Sequence, residues 1–529
     1  MLAGDVPVFR PDSYMEMDIL CGQRRTLMKW LYVISVVVAV AVVFLLSGIQ
    51  TRPVVVSGGS APAQLVVYCA AGIRSAVDPV AREYEKKYGT QIIIQYGGSG
   101  TLLNNMKITK TGDLFVPADQ SYVAIAREQG LIAETIPLAR QTPVIAVRRG
   151  NPKKIASLAD MKREDVKLSL ANPDAASIGS VTKKLLQKSG EWSAIEARVR
   201  ENGVFKPTVN DIANDIKIGS VDAGIVWDST AMQYPELEAV RAPELDGGTQ
   251  EAGVCVLNST RQSAAALRFA RYLSAKDKGL QEFARHHYQT VDGDEWAEAP
   301  ELKVFSGAML RPAIEKTLKD FEAREGVRIT TVYNGCGILT AQMKAGEKPD
   351  AYFSCDVSFM DSVSNMYVNP VTVSVNEVVM LVARGNPQGI KKPEDLKKPG
   401  LKVGLAHPEK SALGVQTKRF LADLGIYDEV QKNQKLDAAT GDFLVNQIRT
   451  GSLDAVLVWR SNAAGVKEFL DVVSIEHPLA SAKQPYGVGK DSRYRHLMQR
   501  LQDALLSAES KQRFESAGLT WSVPARGSR

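Results

Sequence analysis

A chain of 529 residues, 45% hydrophobic and 23% charged, is too long for one compact core and too ordinary in composition for a disordered or fibrous protein. Its net charge of +6 is small for that length, and its Lys and Arg residues are spread along the chain, which argues against a nucleic-acid partner. Five cysteines without a CxxC pair or a His at ligand spacing offer no structural zinc motif.

The first element in the chain is an uncharged apolar run, Trp30 to Ile49. At 1.5 Å per residue it is about 30 Å long as a helix, enough to cross a bilayer. Arg24, Arg25 and Lys29 precede it, whereas Arg52 is the only charge between its end and Arg74. This asymmetry predicts a cytoplasmic tail over 1–29, a transmembrane helix over 30–49, a linker over 50–64 and an extracytoplasmic remainder. The competing reading is a cleaved secretory signal with Ala61-Pro62-Ala63 at the cleavage site, and both readings export the rest of the chain. No Cys follows the run directly, which argues against a lipoprotein anchor. Cys21 falls in the tail, while Cys69, Cys255, Cys336 and Cys355 fall in a space that permits disulfides.

Beyond the linker, short apolar strands alternate with amphipathic helices. Leu65–Tyr68 reads as a strand, and Ile73, Val77, Val80, Ala81 and Tyr84 then line one helical face. Gln91–Tyr96 is the next strand, Thr101–Lys107 the next helix and Asp113–Val116 a third strand. This βαβαβ rhythm predicts an α/β fold with a parallel sheet flanked by helices. Thr142–Val147 reads as a crossing strand into a second α/β lobe over about 153–230, and a helix near Ala264–Ser274 returns to the first lobe. Two lobes joined by crossing strands make a hinged cleft.

The whole unit then repeats. LVVYCAAGIRSAV from Leu65 matches LKVFSGAMLRPAI from Leu302, an offset of 302 − 65 = 237. The same offset aligns Tyr96-Gly97-Gly98-Ser99-Gly100 with Tyr333-Asn334-Gly335-Cys336-Gly337, and GDLFVPAD ending at Asp119 with PDAYFSCD ending at Asp356. With small changes of offset, Arg149-Gly150-Asn151-Pro152 pairs with Arg384-Gly385-Asn386-Pro387. Likewise ANPDAASIGS from Ala171 pairs with AHPEKSALGV from Ala406, and DAGIVWDS from Asp222 with DAVLVWRS from Asp454. A period this long makes each copy a complete folding unit, module 1 over 65–298 and module 2 over 299–529.

In parallel sheets ligands bind beyond the carboxyl ends of the strands, where loops feed helix N-termini. Ala70-Ala71-Gly72, Gly97-Gly98-Ser99-Gly100-Thr101 and Ser177-Ile178-Gly179-Ser180 fit that geometry in module 1. Small residues let backbone N–H groups approach a ligand, and each helix start carries unsatisfied donors and about half a positive charge. This predicts an anion site built from neutral donors.

GDLFVPADQSYV, YGGSGTLL, the ANPD…IG turn and AGIVWDS resemble the molybdate-binding proteins of ABC importers and their tungstate-binding relatives, from about Leu65 to Trp521. The resemblance implies two tandem type II periplasmic-binding modules, each holding a tetrahedral oxyanion with hydroxyls and backbone amides. Residue by residue, the family's first-turn serine falls at Gly72 in one copy and Met309 in the other. Its second-turn serine is Ser99 in module 1, followed by Thr101, and becomes Cys336 in module 2. Its second-lobe backbone donors fall near Ile178 and Ile212, and near Leu413 and Leu444. Its tyrosine after the Gly-Ile-Val strand becomes Trp227 and Trp459, whose indole donates a hydrogen bond but accepts none.

The resemblance implies a solute-binding protein that delivers an oxyanion to an ABC permease, with module 1 the better-preserved cradle. The second reading is a membrane-anchored sensor or interaction protein whose modules have lost oxyanion binding. Cys336 and Cys355 end neighbouring βα units of module 2 and read as a disulfide, a soft-metal site or two small buried thiols. His286-His287 has no partner at ligand spacing. The sequence holds no nucleophile–base constellation, GxSxG, HExxH or cofactor motif, so neither an enzyme nor a bound cofactor is expected. Without GxxxxGK[ST] the chain does not itself drive transport with ATP.

Overall fold

Module 1 is built on two sheets. The protein's structure is a computed structural model that describes residues 63–466 and 468–524. The expected tail, the transmembrane helix over 30–49 and nearly all of the linker lie outside the described residues. Among the described residues, no helix is long and apolar enough to cross a membrane.

The first-lobe sheet has six strands in the spatial order Gln289–Thr290, Ile132–Gln141, Gln250–Leu257, Leu114–Val116, Gln64–Ala70 and Gln91–Gly97. Gln64–Ala70 runs parallel to both of its neighbours. Its near-continuous burial is what a strand covered on both faces requires. The helix Arg74–Tyr88 buries Ala76, Val77, Val80, Ala81 and Tyr84, the apolar stripe that the sequence spacing predicts, and ends at Gly89 in the left-handed region. Ile73 belongs instead to a short 3-10 turn, Ala71–Ile73, ahead of that helix.

The second lobe holds the order Gly203–Lys206, Leu168–Ala171, Ala223–Trp227, Pro143–Arg148 and Leu237–Val240. The predicted elements all appear, with ends that differ by one or two residues: Ser99–Thr109 for the second helix, Pro143–Arg148 for the crossing strand and Ser263–Ser274 for the returning helix.

Module 2 repeats this plan with one difference. Its crossing strand is continuous, Tyr367–Ala383, and joins both lobes into one ten-stranded sheet. In module 1 the corresponding path breaks between Ile132–Gln141 and Pro143–Arg148. Pro143 opposes Trp227 as Val378 opposes Trp459. The Val378 N–H donates to Ala480 O at 2.7 Å, a bond that a proline at the equivalent position cannot make.

The modules meet through their first lobes. Glu325, at the end of the helix Arg311–Glu325, is almost fully buried. Arg271 of module 1 donates to its carboxylate at 2.9 Å and to its backbone oxygen at 2.7 Å, and Arg500 donates to both carboxylate oxygens at 2.6 and 3.0 Å. The segment between the modules joins in. The backbone N–H groups of His496 and Leu497 donate to the Asp294 carboxylate, and the Trp296 indole donates to Tyr88.

Burial alone would raise the Glu325 carboxyl, but the guanidiniums of Arg500 and Arg271 hold it below the ordinary value of 4.5. A depressed carboxylate contributes stability above its ordinary value and loses it as pH falls through the folded value. Chemical unfolding should therefore show Glu325→Gln less stable by about 3–5 kcal/mol at neutral pH, the cost of leaving two buried cations uncompensated. The difference between variant and unmodified chain should shrink as pH drops below about 4.5.

Candidate ligand-binding site

The carboxyl ends of the parallel strands of both lobes face each other across the cleft of module 1. Four helices begin there: Arg74–Tyr88 through its 3-10 turn, Ser99–Thr109, Ser177–Lys188 and Val209–Lys217. Between them lies a small cavity of about 20 Å³. A single water needs about 10–15 Å³ on that scale, so the space between the closed lobes has room for a group of only a few atoms. Its walls are formed by the strand–helix turns at Ala70–Gly72 and Gly97–Ser99, by Ala118 and Ala176–Ile178, and by Thr208, Val209 and Trp227. None of these side chains is charged, and the helix starts supply backbone donors and partial positive charge.

The lobes are closed on each other. Ser177 of the second lobe donates its hydroxyl to Ser99 Oγ at 2.9 Å, and Ser99 Oγ also accepts from the Ala118 amide at 3.2 Å. The amides of Gly100 and Thr101 donate to Ala175 O at 2.9 and 3.3 Å. Gly98 permits this approach. A Cβ there would collide with Ala175 O and lie 2.6 Å from Pro207 O, both in the opposite lobe.

Most of the expected residues come together. Gly72, Ser99, Ile178 and Trp227 all line the cavity. Thr101 does not: its side chain is exposed, and only its amide takes part, in the contact to Ala175. Ile212 does not line the cavity either. It lies beneath Gly224 in the second-lobe core, because the helix starts three residues earlier at Val209. Thr208 and Val209 stand at the mouth in its place. The signal for this was legible as the Thr208…Asp211 capping box, in which Thr208 Oγ1 accepts from the Asp211 amide. Ala118, at the end of the VPAD stretch, is a further residue of the wall that sequence reasoning had not singled out.

Module 2 keeps the closure and changes the mouth. Gly337 N–H donates to Lys410 O at 3.1 Å, and a Cβ on Gly335 would lie 2.7 and 2.8 Å from Lys410 O and Ala439 O, as at Gly98. Leu413 is the second residue of the helix Ala412–Asp423, matching Ile178. Leu444, like Ile212, is a core residue, packed under Gly404, with the helix start at Gly441. Trp459 is buried at the end of its strand.

Met309 stands where module 1 has Gly72. Its sulfur accepts from Asn376 Nδ2 at 2.8 Å and from Ser461 Oγ at 3.6 Å, so a buried thioether with its own partners stands at the position that lines the cavity in module 1. Cys336 replaces Ser99 and is fully buried, its sulfur accepting from the Cys355 amide at 3.1 Å just as Ser99 accepts from Ala118.

A chain with two closed two-lobed modules, one with a small neutral-walled cavity in its cleft, has the build of a tandem solute-binding protein. The bacterial extracellular solute-binding protein family matches it twice, over residues 65–289 and 302–520, and the chain belongs to that family. A putative binding protein of Haemophilus influenzae is 26% identical over 195 residues, 37% of this chain and 77% of the relative. The molybdate-binding protein ModA of Mycobacterium bovis is 30% identical over 172 residues, 32% of this chain, which spans 64% of that relative's length. The solved periplasmic molybdate-binding protein of Azotobacter vinelandii aligns over 42% of this chain and 100% of its own, with 14% identity and a TM-score of 0.38.

Gly98→Ala should hold the lobes of module 1 apart. Hydrogen exchange should then find the Gly100 and Thr101 amides fast, whereas in the unmodified chain their bonds to Ala175 protect them.

Proposed function

We propose that module 1 captures a small tetrahedral oxyanion of the molybdate or tungstate type outside the cytoplasm and hands it to the permease of an ABC importer. The observation that carries this reading is the convergence of four helix starts and the Ser99 and Ser177 hydroxyls on a cavity with no charged wall. An anion in such a place is held by oriented N–H and O–H donors, each worth about 1.5–3 kcal/mol toward a charged partner. The Ser99–Ser177 hydrogen bond spans the lobes, so either hydroxyl can turn to an anion without moving the backbone. Closure would bury the ion, and opening of the second lobe would release it. The likeness to molybdate-binding relatives agrees with the ligand class, and the apolar run over 30–49 supports a tether to the membrane.

Module 2 serves this reading as a scaffold. Met309 occupies the place that Gly72 leaves free, and sulfur replaces the Ser99 hydroxyl. One binding event per chain follows.

Calorimetry of the full chain with molybdate, tungstate, sulfate and phosphate tests the proposal. The expected result is a single site for molybdate or tungstate, weakened tenfold or more in Ser99→Ala. Absence of heat and of thermal shift with all four anions would overturn it. Gly72→Met should abolish the site, because even the first added carbon would stand 2.8 Å from Val209 Cγ1. Met309→Gly should leave the affinity of module 1 unchanged.

A further inference from the structure

The two modules differ at a matched set of three positions in the mouth. Where module 1 has Ala70, Ser99 and Ala118, the repeat offset of 237 places Gly307, Cys336 and Cys355. The three changes are physically linked. A Cβ on residue 307 would fall on Cys355 Sγ and lie 3.1 Å from Cys336 Sγ, so the alanine of module 1 and the second sulfur of module 2 exclude each other. Gly307 leaves room for a pair of sulfurs.

The Cys336 and Cys355 sulfurs stand 2.7 Å apart, closer than two unbonded sulfurs normally rest, in a pocket from which both side chains are almost wholly shut off from solvent. Cys336 begins the helix Cys336–Lys344, and Cys355 follows the strand Ala351–Phe353 one residue on. The contact with Cys336, and after it burial, raise the Cys355 thiol; at Cys336 burial is outweighed by the hydrogen bonds with the Cys355 thiol and amide, which hold it below its ordinary value. Cys69 and Cys255 are also buried, but Cys69 lies opposite Val116 and Cys255 opposite Phe115 in the strand ladders, and neither has a thiol for a partner.

We propose that Cys336 and Cys355 are a modification site, joined in the exported protein by a disulfide that closes the mouth of module 2. Each thiol gives up its proton and the pair gives up two electrons. The acceptor is the disulfide of a thiol–disulfide exchange partner, which leaves as two thiols. The bond pins the first turn of the helix Cys336–Lys344 to the loop after the strand Ala351–Phe353. It also removes both S–H donors from the place where module 1 presents the Ser99 hydroxyl. In the oxidised chain the mouth of module 2 is covalently shut beside the Met309 thioether, and reduction frees the two turns. This depends on export of the chain and not on which ligand module 1 holds.

The test is a thiol count on the full chain, secreted into an oxidising compartment or equilibrated with oxidised glutathione. The chain is alkylated in denaturant with a chelator present, and its intact mass is read. Of the five cysteines, three should label before reduction and all five after it, and peptide mapping should find one linked pair, Cys336 with Cys355. Five labels without reductant overturn the proposal, and so does a linkage through any other pair. Two thiols that become reactive on adding chelator alone also overturn it, in favour of a bound soft cation.

A second measurement covers the structural claim. The melting temperature of the unmodified chain should fall with reductant. In the triple variant Gly307→Ala, Cys336→Ser, Cys355→Ala, which carries the residue set that module 1 already accommodates, the melting temperature should not respond. A reductant response in that variant, or none in the unmodified chain, overturns the pinning role. Failure of oxyanion binding in calorimetry would leave the thiol count untouched, so the two readings fail separately.

Discussion

The placement of one carboxylate organises the molecule. Glu325 ends a helix, where the backbone dipole is unfavourable to negative charge, and it is buried as well. It is tolerable there only because Arg271 reaches it from module 1 and Arg500 from module 2. Removing Glu325 would leave two buried cations without a counter-charge, so the three are held together by the cost of parting them more than by their attraction. Because all three sit on first-lobe helices, the two first lobes are fixed to each other. The motion left to each module is that of its second lobe, which is the motion a binding cleft requires.

Within that frame each cleft is shaped by small residues. At Gly98 and Gly335 the opposing lobe's carbonyl oxygens come too close for any side chain, and the same backbone contact closes both modules. Closure is thus a property of the scaffold. Binding chemistry is a property of a few side chains at the mouth, and these diverge: an open glycine and a serine in one module, a methionine and paired cysteines in the other.

Much of this was legible in the chain. The duplication, the two-lobed plan and the Gly-rich turns before helices follow from pattern and spacing; Gly72, Ser99 and Ile178 reach the cavity from those turns, and Trp227 from the position that the family resemblance implies. The misplaced residues share one cause. Thr101, Ile212 and Leu444 lie inside helices by a turn or less, and a strand–helix junction does not by itself tell which residue is the first to lose its intrahelical partner. Thr208 was recoverable from its capping box.

Local chemistry along the chain therefore determined the elements, the repeat, the family and the neutral, donor-rich character of the turns, because these depend on neighbours a few residues apart. Contacts between residues far apart were decided only by the tertiary structure. Glu325 meets Arg271 and Arg500 across the two modules, and Ser99 meets Ser177 across a cleft. No spacing rule relates such residues. The path of the intervening chain sets their distance, and that path exists only once both lobes of both modules have packed.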